Sequence, residues 1–261
     1  MQRQQLVDEI KVLMGLVADK TTTLADSVME IDVNEYTDPQ QFEREKIELF
    51  RHYPQLVGPS CVVPDTGDYF AFDDTGIPIL IVRQQDGGLK AFVNICSHRG
   101  APLNECAHGT AKKKRLFSCP YHGWTYDLEG KLVGVPFGNE GFDSIDRDTL
   151  ALRPLDVQEK YGMIFVMPDP DKNFDIDEVL GGIQERLSGF GFEDHYYLGA
   201  KQVFTDFSWK LNMDTFHEYY HFEFLHAESI ATMAYSNTAS YRQYGRNHSM
   251  GSPALSINEL K

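Results

Sequence analysis

Basic residues are scarce in this chain. Its 24 lysines and arginines face 39 aspartates and glutamates, a formal charge of −15 over 261 residues. A surface of that sign repels a polyphosphate, which excludes nucleic acid from the expected partners. No stretch approaches the ~20 consecutive apolar residues needed to span a bilayer, so no membrane role is expected. Met1 to Asp19 carries Leu6, Ile10, Leu13, Met14 and Val17 at helical spacing, but Asp8, Glu9 and Lys11 interrupt the series. That pattern predicts an amphipathic helix, not a secretion signal. Cysteines number only four, and two of them belong to the motif described next. Cys61 and Cys106 read as small buried or free thiols, and a reducing, cytoplasmic setting is expected. Low-complexity tracts and internal repeats are also missing. The length suits two globular cores.

What the chain does contain is Cys96-Ser97-His98, then, after twenty intervening residues, Cys119-Pro120-Tyr121-His122, with Gly100 and Gly123-Trp124 close behind the two halves. Two thiolates suit a ferric ion that stays oxidised. Two neutral imidazoles suit a second iron that takes an electron and exchanges protons at the outer ring nitrogens. Zinc also accepts two Cys and two His, but a zinc finger keeps its cysteines together and its histidines together. Here each loop carries one of each, which a planar two-iron cluster requires. Four unrelated buried side chains would leave Cys-Pro-x-His-Gly-Trp to coincidence.

On these residues the chain resembles the Rieske iron–sulfur proteins, which implies a [2Fe–2S] cluster held by Cys96, His98, Cys119 and His122. Respiratory members brace the two loops with an extra disulfide, and this sequence has no spare cysteine within either loop. It therefore looks like the lower-potential oxygenase or ferredoxin branch. Lys112-Lys113-Lys114-Arg115 lies between the two halves, either as a solvated loop or as a docking site for an acidic ferredoxin. His108 and Cys106, in the same stretch, have spacings that pair with nothing.

Around this motif the periodicity changes twice. A second helix is predicted from Thr37-Asp38-Pro39 with Phe42, Ile47, Leu49 and Phe50 inward. From about Leu56, short β-branched and aromatic runs alternate with Asp/Gly turns. Tyr69–Phe72, Ile79–Arg83 and Leu89–Cys96 read as strands, with hairpin turns at Asp86-Gly87-Gly88 and Glu129-Gly130. More strands are expected around Lys114–Ser118, Gly123–Tyr126, Lys131–Val135 and Met163–Met167. Ile176 to Leu187 reads as helix, Tyr197 to Phe207 as a strand, and a helix starts near Trp209. The expected organisation is three segments: 1–55 helical, 56–170 the cluster module, and 171–261 the start of a catalytic domain.

Trp209 to His226 carries a second cluster of ligand-type side chains. Non-haem oxygenases hold Fe(II) with two His and one carboxylate on one face. His221 and His226 are five apart, which on a straight helix at ~100° per residue points them in different directions. They converge only if the helix bends or ends between them. His217 and His221, four apart, are the geometrically simpler pair.

Here the pattern Trp-Lys-x-x-x-Asp/Glu-x-Phe-x-Glu-x-Tyr-His-x4-His resembles the iron motif of the Rieske non-haem iron oxygenases, the aromatic-ring hydroxylases and related demethylases. The resemblance covers about residues 40 to 230. It implies an α+β fold, a Rieske antiparallel β module inserted in a helix-grip type catalytic domain that is incomplete here. His221 and His226 then ligate Fe(II). Glu218 links a Rieske histidine of a neighbouring subunit to that iron, and is a departure from the more usual Asp. The third, carboxylate ligand comes well over a hundred residues later in the family. Lys261 is only 35 residues past His226, and neither Glu228 nor Glu259 matches the family position. The chain is therefore expected to be truncated.

The resemblance further implies a terminal oxygenase component. It would receive electrons from an NAD(P)H-dependent reductase, directly or through a ferredoxin, and use O2 to hydroxylate or dihydroxylate a small organic substrate, aromatic by the resemblance, with ring dihydroxylation and oxidative demethylation both left open. The assembly would be a homotrimer or part of a hetero-hexamer. The alternatives are a Rieske electron-transfer protein and an inactive fragment lacking the third ligand. Iron content separates them, at about three irons per chain against two.

Overall fold

The computed structural model describes residues 3–104, 107–111 and 115–260. Cys106 and three of the four basic residues at 112–115, Lys112, Lys113 and Lys114, lie outside the described residues. The chain divides into two compact units. One is built from residues 43–179 and 191–199, the other from 1–42, 180–190 and 200–261.

The first unit is an antiparallel β structure. Its strands are β1 (Gln55–Pro59), β2 (Asp68–Phe72), β3 (Ile79–Arg83), β4 (Leu89–Val93), β5 (His108–Thr110), β6 (Leu116–Ser118), β7 (Thr125–Asp127), β8 (Leu132–Gly134), β9 (Pro154–Leu155), β10 (Val157–Lys160) and β11 (Met163–Val166). They form a five-stranded sheet in the order β5-β2-β3-β4-β9 and two three-stranded sheets, β1-β11-β10 and β6-β7-β8. β3 explains why two cores coexist. Its side chains alternate between faces, so Leu80 and Val82 enter one apolar cluster with Phe92, Phe117 and Tyr126. Ile79 and Ile81 enter another with Val63, Ile164 and Val166. All four β3 residues from Ile79 to Val82 are fully buried. A strand covered on both faces reads as a continuous apolar run, and each such side chain contributes about 1.5–3 kcal/mol. The hairpins turn where expected, with Gly87 and Gly130 at φ 84° and 82°. A Cβ at Gly130 would come within 2.5 Å of the Phe92 ring, so this turn also needs a residue without a side chain.

The second unit contains the helix Arg3–Ala18, the helix Trp209–Phe216 and a hairpin of β12 (Ser240–Tyr244) with β13 (Asn247–Gly251). The helix at the N-terminus forms where its periodicity predicts. Its buried residues are Leu13 and Glu9, whereas Leu6 and Met14 are exposed.

Three expectations are corrected. Asp38 does cap the helix Pro39–Glu48, accepting from the Gln40 amide at 2.8 Å. Phe42, Ile47 and Leu49 nevertheless face outward and Glu45 is the buried residue. Ile176–Leu187 is not one helix but two short ones, Ile176–Leu180 and Gln184–Leu187. Gly181 and Gly182 part them with φ of 54° and 99°, a left-handed pair that ends a helix. Tyr197–Phe207 forms no strand, because no described segment pairs with it. Among the described residues, no helix is long and apolar enough to cross a membrane.

Candidate functional site

The cluster motif occupies two loops of the β unit, one following β4 and the other joining β6 to β7. They close in the same way. The Gly100 amide donates to the Cys96 carbonyl at 3.0 Å and the Cys96 amide to the Ala101 carbonyl at 2.8 Å. In the second loop the Gly123 amide donates to Cys119 at 2.9 Å and the Cys119 amide to Trp124 at 2.8 Å. Each closure turns on a left-handed residue, supplied by Gly100 (φ 73°) and Gly123 (φ 72°). The histidine is two residues after the cysteine in one loop and three in the other, yet glycine is fourth in both.

The matched loops sort the side chains by chemistry. Cys96 and Cys119 are buried free thiols in the same apolar cluster. The His98 and His122 rings lie 4.6 Å apart between centroids. Trp124 stacks flat on His98 at 4.7 Å and 7°, so the second loop holds the imidazole of the first. Asn94, beneath the first loop, donates to the Asn104 carbonyl at 2.8 Å and accepts from the Leu103 amide at 3.2 Å.

Tyr126, which the motif does not include, reaches the first loop from β7. It is fully buried, and the Ser97 amide donates to its oxygen at 3.1 Å. The Cys96 sulfur lies 3.3 Å from the hydroxyl, and toward a thiolate ligand only the hydroxyl can donate. Burial, then the bond to Cys96, pushes the phenol up to about 12, so it stays a donor. The available signal was its inward place on β7 between two polar neighbours.

Burial raises the Cys96 thiol, and burial followed by the His122 and Arg99 charges lowers His98. The residues fit a two-iron cluster. His98 Nδ1 is buried without a hydrogen-bond partner, the condition of a nitrogen that a metal would satisfy. Among the described residues, no three His, Cys, Asp or Glu side chains converge as a site for a single ion. Two thiols together and two imidazoles together give each of two irons a pair of protein ligands. A tetrahedral zinc needs all four around one point.

In the other unit, the helix Trp209–Phe216 ends at His217, and a one-turn helix, Phe222–Leu225, follows. His221 stands at the start of that turn and His226 at its end, their rings 5.3 Å apart. The chain break thus does what a straight helix cannot. His217 is not brought to this pair; its ring packs on His248 at 4.5 Å. The Glu218 carboxylate is hydrogen-bonded to His221 Nδ1 and accepts from the backbone amides of Tyr220 and His221, the latter at 3.2 Å. Burial raises this carboxyl, but the His221 ring and the two amides outweigh it and hold Glu218 below the usual range. A carboxylate on Nδ1 leaves Nε2 as the free ligand atom of His221, a common second-layer arrangement at metal sites. The arrangement brings two imidazoles together, one of them oriented by a carboxylate.

Comparison with known proteins places both halves. Residues 54–150 match the Rieske [2Fe-2S] domain, and residues 192–260 match the ring hydroxylating alpha subunit (catalytic domain). The carnitine monooxygenase oxygenase subunit of Acinetobacter baumannii is 33% identical over 218 residues, 80% of this chain and 57% of that protein. The glycine betaine monooxygenase oxygenase subunit of Chromohalobacter salexigens is 31% identical over 198 residues, 76% of this chain and 43% of that one. The benzene 1,2-dioxygenase subunit alpha of Pseudomonas putida is 34% identical over 151 residues, 58% of this chain and 33% of its own. The crystal structure of the quaternary ammonium Rieske monooxygenase CntA with an inhibitor superposes with a TM-score of 0.79 at 28% identity, covering 91% of this chain and 67% of the other. The chain spans about half the length of the first two relatives. A [2Fe–2S] cluster and a mononuclear iron are the cofactors of the two matched domains. Paired loops, a two-histidine turn and both domain matches, in that order along one sequence, make this chain a member of the Rieske oxygenase family.

Proposed function

We propose that this chain forms the electron-accepting module and part of the iron site of a terminal oxygenase component, acting on a small quaternary-ammonium compound. The observation that carries the reading is the coexistence of the Cys96/Cys119 and His98/His122 pairs with His221 and His226 around a Glu218-supported turn. A carrier of electrons alone has no use for the second set. Cys96 and Cys119 would hold one iron of the cluster, His98 and His122 the other, and His221 and His226 the mononuclear iron. When bound, the cluster supplies single electrons and the mononuclear iron supplies O2 activation.

The chain's own residues set the conditions. The Tyr126 hydroxyl and the buried walls fix the charge around Cys96. Trp124 holds the His98 plane, and Glu218 fixes the tautomer of His221. By analogy with the inter-subunit electron transfer named for a quaternary ammonium Rieske monooxygenase, Glu218 would bridge the cluster of a neighbouring copy to the iron held by His221 and His226, and a reductase would feed the cluster. Relatives acting on carnitine and glycine betaine align over 76–80% of this chain, against 58% for the benzene dioxygenase subunit. That favours the ammonium substrate over ring hydroxylation.

The test is reconstitution with iron, sulfide and a reductase. About three irons per chain and O2 uptake stimulated by carnitine or glycine betaine are expected. Stimulation by benzene or biphenyl alone would establish ring hydroxylation instead. About two irons per chain with no substrate-dependent uptake would leave only an electron carrier.

A further inference from the structure

The break between Phe216 and Phe222 carries the whole geometry of His221 and His226, and it exposes carbonyls that a continuous helix would have satisfied. One of them, the His217 carbonyl, finds a partner on β12, where the Tyr241 hydroxyl donates to it. The Tyr219 carbonyl accepts from the Phe222 amide at 3.2 Å and also from the Asn237 amide at 3.2 Å. His248, on β13, packs its ring against His217. The three contacts grip both sides of Glu218.

The hairpin is anchored in turn. The Thr23 amide and the Thr22 hydroxyl donate to the Ala239 carbonyl at 2.9 and 3.1 Å, and the Tyr241 amide donates to the Thr23 hydroxyl at 3.3 Å. Tyr241 is therefore attached to a fixed support. Burial, then the neighbouring Tyr219 and Glu218, raises its phenol, which keeps the proton it donates.

We infer that Tyr241 is a positioning residue for the mononuclear iron: by holding the His217 carbonyl it fixes the break that aims His221 and Glu218. The inference rests on the proposed role of His221 and His226 as iron ligands. Without the hydroxyl, the His217 carbonyl is free to resume helical bonding. The turn can then rewind toward a continuous helix, which separates the two imidazoles.

The test uses the full chain carrying its cluster, with Co(II) alone as the probe. Tyr241→Phe is compared with Tyr235→Phe, which loses hydroxyl contacts to Asn258 at 3.1 and 2.8 Å in the same unit. Tyr241→Phe is expected to bind Co(II) about fivefold more weakly, the effect of one hydrogen bond acting through a ligand, with shifted visible ligand-field bands. Tyr235→Phe should change neither. Wild-type affinity and bands in Tyr241→Phe would overturn the inference. So would a lower melting temperature for Tyr241→Phe with unchanged bands, which marks a purely structural residue. His221→Ala separates the two levels: if it binds Co(II) like the wild type, the ligand assignment itself fails, whatever Tyr241 does.

Discussion

The two units are stabilised differently. The β unit encloses two dry cores, and its central strand is apolar on both faces. Around the hairpin unit, buried apolar side chains are few, among them Leu13, Ala239 and Ile257. The most buried polar group of its N-terminal helix is Glu9, which meets Arg186 at 3.1 Å, Arg242 at 2.9 Å and the Ser240 hydroxyl. Phe216, Tyr220 and Phe224, beside the two histidines, are exposed. A cluster site made of two self-closing loops on a packed sheet needs little outside its own strands. A site made from a helix break depends on contacts from residues eighteen or more positions away.

Ligand substitutions should break the comparison most sharply. Cys119→Ala should remove the cluster iron and its visible spectrum completely, and leave the Co(II) affinity of the His221/His226 site within about twofold. His221→Ala should abolish turnover and mononuclear metal binding with the Rieske spectrum intact. Retained turnover in His221→Ala would reject its assignment as a ligand.

Next in size is the ion pair of each unit. Arg83 forms a two-pronged bond to Glu159 at 2.6 and 2.7 Å and also donates to the Val63 carbonyl at 2.9 Å. Arg83→Ala should destabilise the β unit by about 3 kcal/mol in urea unfolding, the low end for breaking a buried pair because Glu159 is partly exposed. Glu9→Gln should destabilise the hairpin unit by about 1–2 kcal/mol at neutral pH. Burial raises the Glu9 carboxyl, but Ser240, Arg186 and Arg242 together bring it below its ordinary 4.5. A depressed native pKa means that this stabilisation is present above about 4.5 and is lost as pH falls through the lower native value. Glu9→Gln should therefore flatten the acid side of the hairpin unit's stability curve. An unchanged slope below pH 4.5 would show that the knot of charges does not support the unit.

How much of this was legible depends on range. The cluster loops were readable because ligand, glycine and turn lie within five residues of one another. β3 was readable because a doubly covered strand is an apolar run. The outward turn of Phe42 and Ile47 was not, since helical periodicity marks a face without saying whether it is covered. The convergence of His221 and His226 was legible only as a condition, that the helix must end, because the groups that hold the break, Tyr241 and Asn237, lie far along the sequence. The same applies to Tyr126. Its bond to Cys96 joins residues 30 positions apart, and no motif spacing encodes it.

Tyr126 also gives the smallest predicted effect and the finest test of the comparison. Its hydroxyl donates toward a sulfur that carries negative charge in the bound cluster, and the bond strengthens as the cluster gains an electron. Tyr126→Phe removes that bond without a change of volume large enough to disturb the core, and leaves the Ser97 amide without its acceptor. Reduction should become harder, by about 40–60 mV for a one-electron couple, equivalent to a bond that is about 1–1.4 kcal/mol stronger in the reduced state. Spectroelectrochemical titration of the cluster reads this directly, and the Co(II) affinity at His221 and His226 should not move. A potential unchanged within about 10 mV would mean that the buried walls alone set the cluster's affinity for an electron. A change in Co(II) binding would mean that the β unit and the histidine turn are not the independent sites their separate supports imply.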